Sequence, residues 1–306
     1  MARLINQKEV QELSSLEFFA QQVVEGFITG LHKSPYHGFS VEFSEHRLYN
    51  SGESIKNIDW KVYARTEKLF VKRFEEETNL RCQIVIDNSS SMHYPRENDG
   101  DKNKLHFSIH AAASLIYLLR KQRDAIGLTT FSDKIEQHFP AKSSGVQHKL
   151  IFHELEKLLE KNSSELNKET KAAETLHHIA DSIHKRSLVI IFSDMLEDNS
   201  EQLFSALQHL KHNKHEVILF HVADKQKELG FDFENRPYKF VDMETQEEVK
   251  VHPNQIKETY LKSISEYKNQ LILKCGQYKI DFVEADIHEG YKQILLPYLI
   301  KRKKLY

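Results

Sequence analysis

Gln83-Ile84-Val85-Ile86-Asp87-Asn88-Ser89-Ser90-Ser91 is the stretch on which the fold turns. A short unbroken apolar run, here Ile84-Val85-Ile86, suits a strand covered on both faces, because an amphipathic strand would alternate. It stops at a carboxylate and runs into hydroxyls. The same design returns at Leu188-Val189-Ile190-Ile191-Phe192, followed by Ser193-Asp194, and a third buried run lies at 217–222. Helical apolar spacing fills the intervals, over 105–119, 146–161, 170–184 and 201–211. Residues 126–131 and 135–139 pair as strands around Ser132-Asp133. Further on, 238–241 and 248–251 read as a hairpin, 253–275 as a helix, 280–285 as a strand and 288–301 as a final helix. Buried strands alternating with helices predict an α/β fold: a doubly wound, mostly parallel sheet with helices on both faces.

Working outward, residues 10–31 carry apolar side chains at Val10, Leu13, Ala20, Val24, Phe27 and Leu31, the spacing of an amphipathic helix. Its apolar side docks on its own domain or on a partner or membrane surface. Residues 39–43 and 69–74 are extended candidates around a turn-rich stretch at Ser51-Gly52-Glu53. The expected organisation is therefore an N-terminal helix with accessory strands over 1–79. The α/β domain follows over 80–306, with a hairpin insertion at about 236–252. The 161–171 segment is polar and predicts a loop.

Composition narrows the function. Of 306 residues, 40% are apolar and 29% charged, and the formal net charge is -2, so no overall positive field points to nucleic acid. Lys301-Arg302-Lys303-Lys304 is the one strong basic cluster; cations suit a helix C-terminus, so a solvated helix end is the simple reading, with a weak partner or membrane contact as the other. Cys82 and Cys275 have no ligand-spaced neighbours and read as buried thiols of a reducing compartment. The first residues lack the apolar core of a signal peptide. No apolar run approaches the roughly 20 residues of a membrane span. A cytoplasmic location is the expectation.

In open α/β sheets, ligands bind beyond the carboxyl ends of the strands, at a switch in strand order. Two apolar strands end here on carboxylates, Asp87 and Asp194. The Asp-x-Ser-x-Ser spacing lets one loop aim Asp87, Ser89 and Ser91 at a common point, and the hydroxyl of Thr170 at a helix start completes the set. Oxygen-only donors of this kind suit a hard cation such as Mg²⁺, or Mn²⁺ or Ca²⁺. Two carboxylates match the ion's charge, leaving it able to accept an acidic side chain from a protein partner. Asp followed by serines is also a common turn or helix cap. A phosphotransferase would need a second carboxylate where Ser89 stands, so a metal-dependent phosphohydrolase is a weak alternative. A serine hydrolase would need glycines flanking Ser90, and no phosphate-binding glycine loop is present. None of the histidine groups, among them His106/His110, His177-His178 and His209/His212/His215, has a zinc motif's spacing. They read as polar helix faces. Asp59, Trp60, Arg65 and Glu75 form either a buried polar network or a partner surface, with Trp60 as an anchor.

The pattern Asp87-x-Ser89-x-Ser91, then a threonine, then Asp194 after an apolar strand resembles the metal-ion-dependent adhesion site of von Willebrand factor A domains, which are Rossmann-like. Glu45-x-Arg47-x-Tyr49-x-x-Gly52-Glu53, Ile58-Asp59-Trp60, Ala64-Arg65, Val71-Lys72-x-Phe74-Glu75 and Gly127-Leu128-x-x-Phe131 resemble the bacterial family called domain of unknown function 58. The likeness runs over roughly residues 30–300. It implies metal ligands at Asp87, Ser89, Ser91, Thr170 and Asp194, although Glu169 stands where the family usually has glycine before the threonine. It also implies a non-catalytic module, an adaptor or chaperone-like partner of a MoxR-type AAA+ ATPase. The competing expectation is a metal-independent scaffold with a degenerate site.

Overall fold

In the computed structural model, the structure describes residues 15–32, 46–48, 60–72, 80–95, 103–160, 172–196, 200–243 and 247–305. In chain order these form α1 (Ser15–His32), β1 (His46–Leu48), α2 (Trp60–Thr66), β2 (Phe70–Lys72), β3 (Arg81–Asp87), a 3₁₀ turn (Ser90–His93), α3 (Lys104–Lys121), β4 (Ala125–Phe131), β5 (Ile135–Lys142), α4 (Gly145–Glu160), α5 (Ala172–Ser182), β6 (Leu188–Ser193), α6 (Ser200–His212), β7 (Glu216–Ala223), a π-helical turn (Lys225–Leu229), β8 (Tyr238–Val241), β9 (Glu248–Val251), α7 (Pro253–Gln277), β10 (Asp281–Asp286) and α8 (Lys292–Leu305). None of the described helices is long and apolar enough to cross a membrane.

The main sheet has the strand order β10-β7-β6-β3-β4-β5. All its pairs are parallel except β4 with β5, the antiparallel edge pair. From β3 the chain crosses outward to β4, and later returns to lay β6 against the other side of β3. The strand order thus reverses between β3 and β6, as the doubly wound reading requires. Their register sets Ile86 beside Phe192, so Asp87 and Ser193 end adjacent strands at one level.

Alternation along the strands divides the core in two. Val85, Val189, Ile191, Val217 and Leu219 pack with Leu176, Ile179, Leu203, Leu207, Leu271 and Cys275 from α5, α6 and α7. Ile84, Ile86, Phe192 and Phe220 take the other parity and are fully buried, with the two phenylalanine rings stacked at 5.0 Å. Each such side chain contributes about 1.5–3 kcal/mol when fully buried, which is why the unbroken apolar runs settle in the middle of the sheet. Gly127 on β4 has its own cause. A Cβ there would lie 2.1 Å from Oε1 of Gln83 and 2.6 Å from the Phe139 carbonyl oxygen. The buried Gln83 amide crosses the glycine to donate to Thr129 Oγ1 at 2.9 Å and to Phe139 O at 3.2 Å.

The chain divides into two compact units, Met1–Ile28 with Leu80–Tyr306, and Thr29–Asn79. The first unit resumes at Leu80, and residues 1–28 group with it rather than with 29–79. Within the first unit, α1 buries Leu16, Ala20 and Val24. It pairs Glu17 with Arg120 of α3 and sets Phe19 edge-on to His110 at 4.6 Å. Burying this apolar stripe against the domain lowers the free energy of the docked helix, and the half-exposed ion pair sits at its margin. The hairpin β8–β9 also belongs to this unit. In the second unit β1 and β2 pair antiparallel, with Arg47 opposite Val71; residues 39–43 lie outside the described residues.

The basic run at the C-terminus is not simply solvated. Lys301 pairs with Glu216 and Asp281 at 2.7 and 2.9 Å, and Arg302 pairs with buried Asp124. Only Lys303 and Lys304 are exposed.

Candidate metal centre

β3 delivers Asp87 to the rim of the sheet with its whole side chain buried. The chain then turns sharply. Asn88 N donates to Phe131 O at 2.6 Å, and its amide reaches Glu136 at 2.8 Å. Ser89 N folds back on Asp87 Oδ1 at 2.9 Å, an Asx turn. The 3₁₀ turn that follows brings Ser91 Oγ to 3.1 Å from Ser89 Oγ. Across the switch point, Ser193 Oγ donates to Asp87 Oδ2 at 2.6 Å and accepts from Met195 N at 2.9 Å. Asp194 then turns in beside them and accepts a hydrogen bond from Ser91. Asp87, Ser89, Ser91 and Asp194 are therefore drawn into one hydrogen-bonded group at the strand ends. Ser91 alone of the four is half-buried rather than sealed.

Thr170 lies outside the described residues, as do Asp59, Glu75 and residues 96–102. Trp60 opens α2, and Arg65, in the last turn of that helix, is exposed.

The sequence reading missed Lys104. It sits in the first turn of α3, nearly wholly buried, and its ammonium donates to Asp194 Oδ2 at 2.8 Å and to Glu228 of the π-helical turn at 2.6 Å. A cation in a helix's first turn opposes the macrodipole, and that misplacement was the available signal. Burial lowers the Lys104 pKa; Asp194 and Glu228 together more than offset it and hold the ammonium above its ordinary value. Burial likewise pushes Asp194 up, but Lys104 reverses the effect and keeps the carboxylate below its usual range. Glu228 is raised, chiefly by burial.

Among the described residues, Asp87 has no such cation. Burial first, and then the Asp194 charge, raise it to about 7, despite the hydrogen bonds from Ser193 and Ser89. Among the described residues, with all groups ionised, Asp87, Asp194 and Glu228 set three negative charges against the one positive charge of Lys104. Two are left over.

Two features hold the rim in place. Met195, buried beside Asp194, adopts left-handed backbone with φ 51, a conformation that costs a side-chain-bearing residue roughly 1–3 kcal/mol. The Tyr267 hydroxyl of α7 donates to its carbonyl. His221, next to Ser193 in register, is buried with Nδ1 unpartnered among the described residues, and burial lowers its pKa to about 4.

The donor set fits a hard ion: carboxylate and hydroxyl oxygens, contiguous in one turn, with excess negative charge behind them. Among the described residues no group of three or more His, Cys, Asp or Glu side chains is placed to hold a metal. An ion here therefore depends on the hydroxyls.

A doubly wound sheet with oxygen-bearing side chains gathered at its switch point defines the class of this protein as α/β. More narrowly, the chain belongs to the family described as Protein of unknown function DUF58, whose model matches residues 45–270. It is similar to the uncharacterized proteins Rv1480 of Mycobacterium tuberculosis and Mb1516 of Mycobacterium bovis. Identity to each is 27% over 136 residues, 44% of this chain. The match spans only 42% of the length of those relatives. Among solved structures, the conserved hypothetical protein BatB from Bacteroides thetaiotaomicron superposes with a TM-score of 0.47 at 13% identity, over 74% of this chain and 100% of its own. An aerotolerance-related membrane protein from Bacteroides fragilis gives 0.45 at 13% identity, over 73% and 99%. At that level neither superposition carries an argument for this chain.

Proposed function

We propose that this protein is a non-catalytic, divalent-metal-dependent protein-binding module. Asp87, Ser89 and Ser91 would hold Mg²⁺ (or Mn²⁺ or Ca²⁺), with Thr170 completing the set. The observation that carries the reading is the excess of carboxylate over cation at the strand ends among the described residues, buried Asp87 and Asp194 and half-buried Glu228 against Lys104, which a divalent ion would neutralise and which a proton on Asp87 relieves only in part. Asp194 already gives Oδ2 to Lys104 and Oδ1 to Leu196 N at 3.3 Å. Its part is to orient Ser91 and to add charge, with any direct bond to the ion sharing an oxygen. The half-buried Ser91 marks the side from which a partner's Asp or Glu would reach the ion.

The partner's class follows from the family resemblance alone: a MoxR-type AAA+ ATPase, served as an adaptor in chaperone-like assembly. A cytoplasmic setting goes with that reading and agrees with two free, buried cysteines. A phosphohydrolase is disfavoured because Ser89 stands where the second carboxylate is needed. A metal-independent scaffold draws support from Lys104, which already neutralises Asp194.

Isothermal titration with Mg²⁺ and Mn²⁺ separates the two. The wild type should bind one ion and Asp87→Ala none; equal heats in both proteins would leave the scaffold standing. Retention of partner proteins on the immobilised chain should then depend on the metal. A retained set unchanged by chelator would count against the adhesive role.

A further inference from the structure

The end of the main sheet opposite the rim carries a row of cations. There each of the six strands has an exposed lysine or arginine: Lys279 before β10, Lys214 before β7, Arg186 before β6, Arg81 at the head of β3, Arg123 before β4 and Lys142 at the foot of β5. Strand pairing brings them to one level. Leu188 lies beside Glu216, so Arg186 and Lys214, each two residues before its strand, stand at the same height. The pairs Cys82 with Leu188, Arg81 with Ala125, Ile126 with Lys142 and Asp281 with Ile218 set the other four within two residues of that height. Neighbouring strands lie about 4.8 Å apart, so the six positions span about 24 Å.

Four of these cations occupy backbone that favours glycine. Arg123, Arg186, Lys214 and Lys279 have φ of 57, 62, 62 and 57. Arg123, Lys214 and Lys279 close α3, α6 and α7 with the same cap. Their amides donate to Arg120 O, Lys211 O and Gly276 O, and the amides that follow donate to Leu119 O, Leu210 O and Cys275 O. Glycine is the usual residue at that position, having no Cβ to strain. A cation does gain from the helix end, but that end carries only about half a negative charge, which one cation more than cancels. The acids at this end are already matched: Asp124 with Arg302, Glu216 with Lys211 and Lys301, and Asp281 with Lys301. Among the described residues none of the six cations of the row is in an ion pair; Arg81 meets only His184 Nδ1, at 3.4 Å. Lys185, Lys303 and Lys304, also exposed, add to the same end.

We propose that this end of the sheet is a docking face for an anionic phospholipid surface. Its charges stand on the turns that cap the sheet, where a plane of headgroups meets all of them at once. Single-stranded nucleic acid would want aromatic platforms among the cations. None of the row is aromatic, and Tyr278, beside Lys279, packs against the core. Val146, 72% exposed and four residues beyond Lys142, gives the same end an apolar side chain to press between headgroups. A chain docked in this way turns its oxygen-lined rim away from the lipid, toward a protein partner.

The test is co-sedimentation of the full chain with vesicles of equal parts phosphatidylcholine and phosphatidylglycerol, and with vesicles of phosphatidylcholine alone. Chelator is present throughout, so that metal at the rim plays no part. The wild type should bind the anionic vesicles at low salt and not the neutral ones, and high salt should release it. Arg186→Gly with Lys214→Gly, and Arg123→Gly with Lys279→Gly, should each weaken binding about 25-fold, at about fivefold per cation. Glycine suits these four backbones, so the melting temperatures of both variants should hold or rise, which separates lost charge from lost fold. Lys250→Gln, on the β8–β9 hairpin, should bind as the wild type does. Equal binding to both kinds of vesicle, or none to the anionic ones at low salt, would overturn the proposal. So would undiminished binding in both double variants, or a loss in Lys250→Gln as large as theirs. Tighter binding to duplex DNA or to polyglutamate, with the same sensitivity to the glycine variants, would assign the face to another polyanion and overturn it too.

Discussion

Replacing Lys104 by methionine tests the electrostatics of the rim directly. The substitution keeps the unbranched side chain up to the ε position and removes the ammonium that lies between Asp194 and Glu228. Asp194 is 2% exposed and would be left with a negative charge that water does not reach. Breaking a buried pair by removing one partner costs about 3–5 kcal/mol. For a domain of this size each kcal/mol lowers the melting temperature by about 2–4 °C, so Lys104→Met should melt about 6–20 °C below the wild type in chelator. Adding Asp194→Asn removes the stranded charge and should recover much of that loss. The two changes then cost clearly less together than their sum. Mg²⁺ should stabilise Lys104→Met more than it stabilises the wild type, because the ion supplies the missing positive charge. Thermal and urea melts of the four proteins, with and without Mg²⁺, measure all of this. If Lys104→Met melts with the wild type, or if the double variant is simply additive, the buried charge account is wrong.

Gly127→Ala should cost about 1–3 kcal/mol by forcing Gln83 and the Phe139 carbonyl aside, read as a lower urea midpoint at unchanged slope. Val24→Asp puts a carboxylate into a fully buried position on α1, so limited proteolysis should cut within 15–28 while the rest of the fold stays protected. The pH dependence has two opposed parts. His221, held down to about 4 from 6.5, adds stability that is whole above pH 6.5 and falls away as pH drops toward 4, about 3 kcal/mol in all. Asp87, raised to about 7, works the other way, because the fold takes up its proton before the unfolded chain does. Melts from pH 4 to 7 in chelator should therefore show a shallow slope in the wild type. They should show rising stability toward acid in His221→Phe, and parallel curves would refute the His221 assignment.

What the sequence disclosed follows from the range of each interaction. Strands β3, β6 and β7 were legible because burial on both faces leaves an unbroken apolar run, and the switch point followed from their alternation with helices. Asp87, Ser89 and Ser91 were legible because a single turn positions them. Asp194 could be added because it closes another such strand. Lys104 escaped because its partners lie 90 and 124 residues away, and nothing local announces a buried ammonium beyond its awkward place at a helix start. Arg302 escaped for the same reason: its partner Asp124 is 178 residues distant, so a side chain that looks solvated in a basic run proves to be half of a buried pair. His177 and His209 read as polar helix faces because only the packing of α5 on α6 aligns their rings.

Among the described residues, the antiparallel strand β5 forms one margin of the main sheet. Its residues are Ile-Glu-Gln-His-Phe-Pro-Ala-Lys. Pro140 offers no amide hydrogen, while Glu136 and Lys142 put formal charge along the same border. An incoming backbone would find its ladder interrupted and its side chains opposed by ions. The sheet thus ends in a selvedge that resists fraying into fibrils, so crowding should drive this protein toward side-by-side complexes sooner than toward stacked β aggregates.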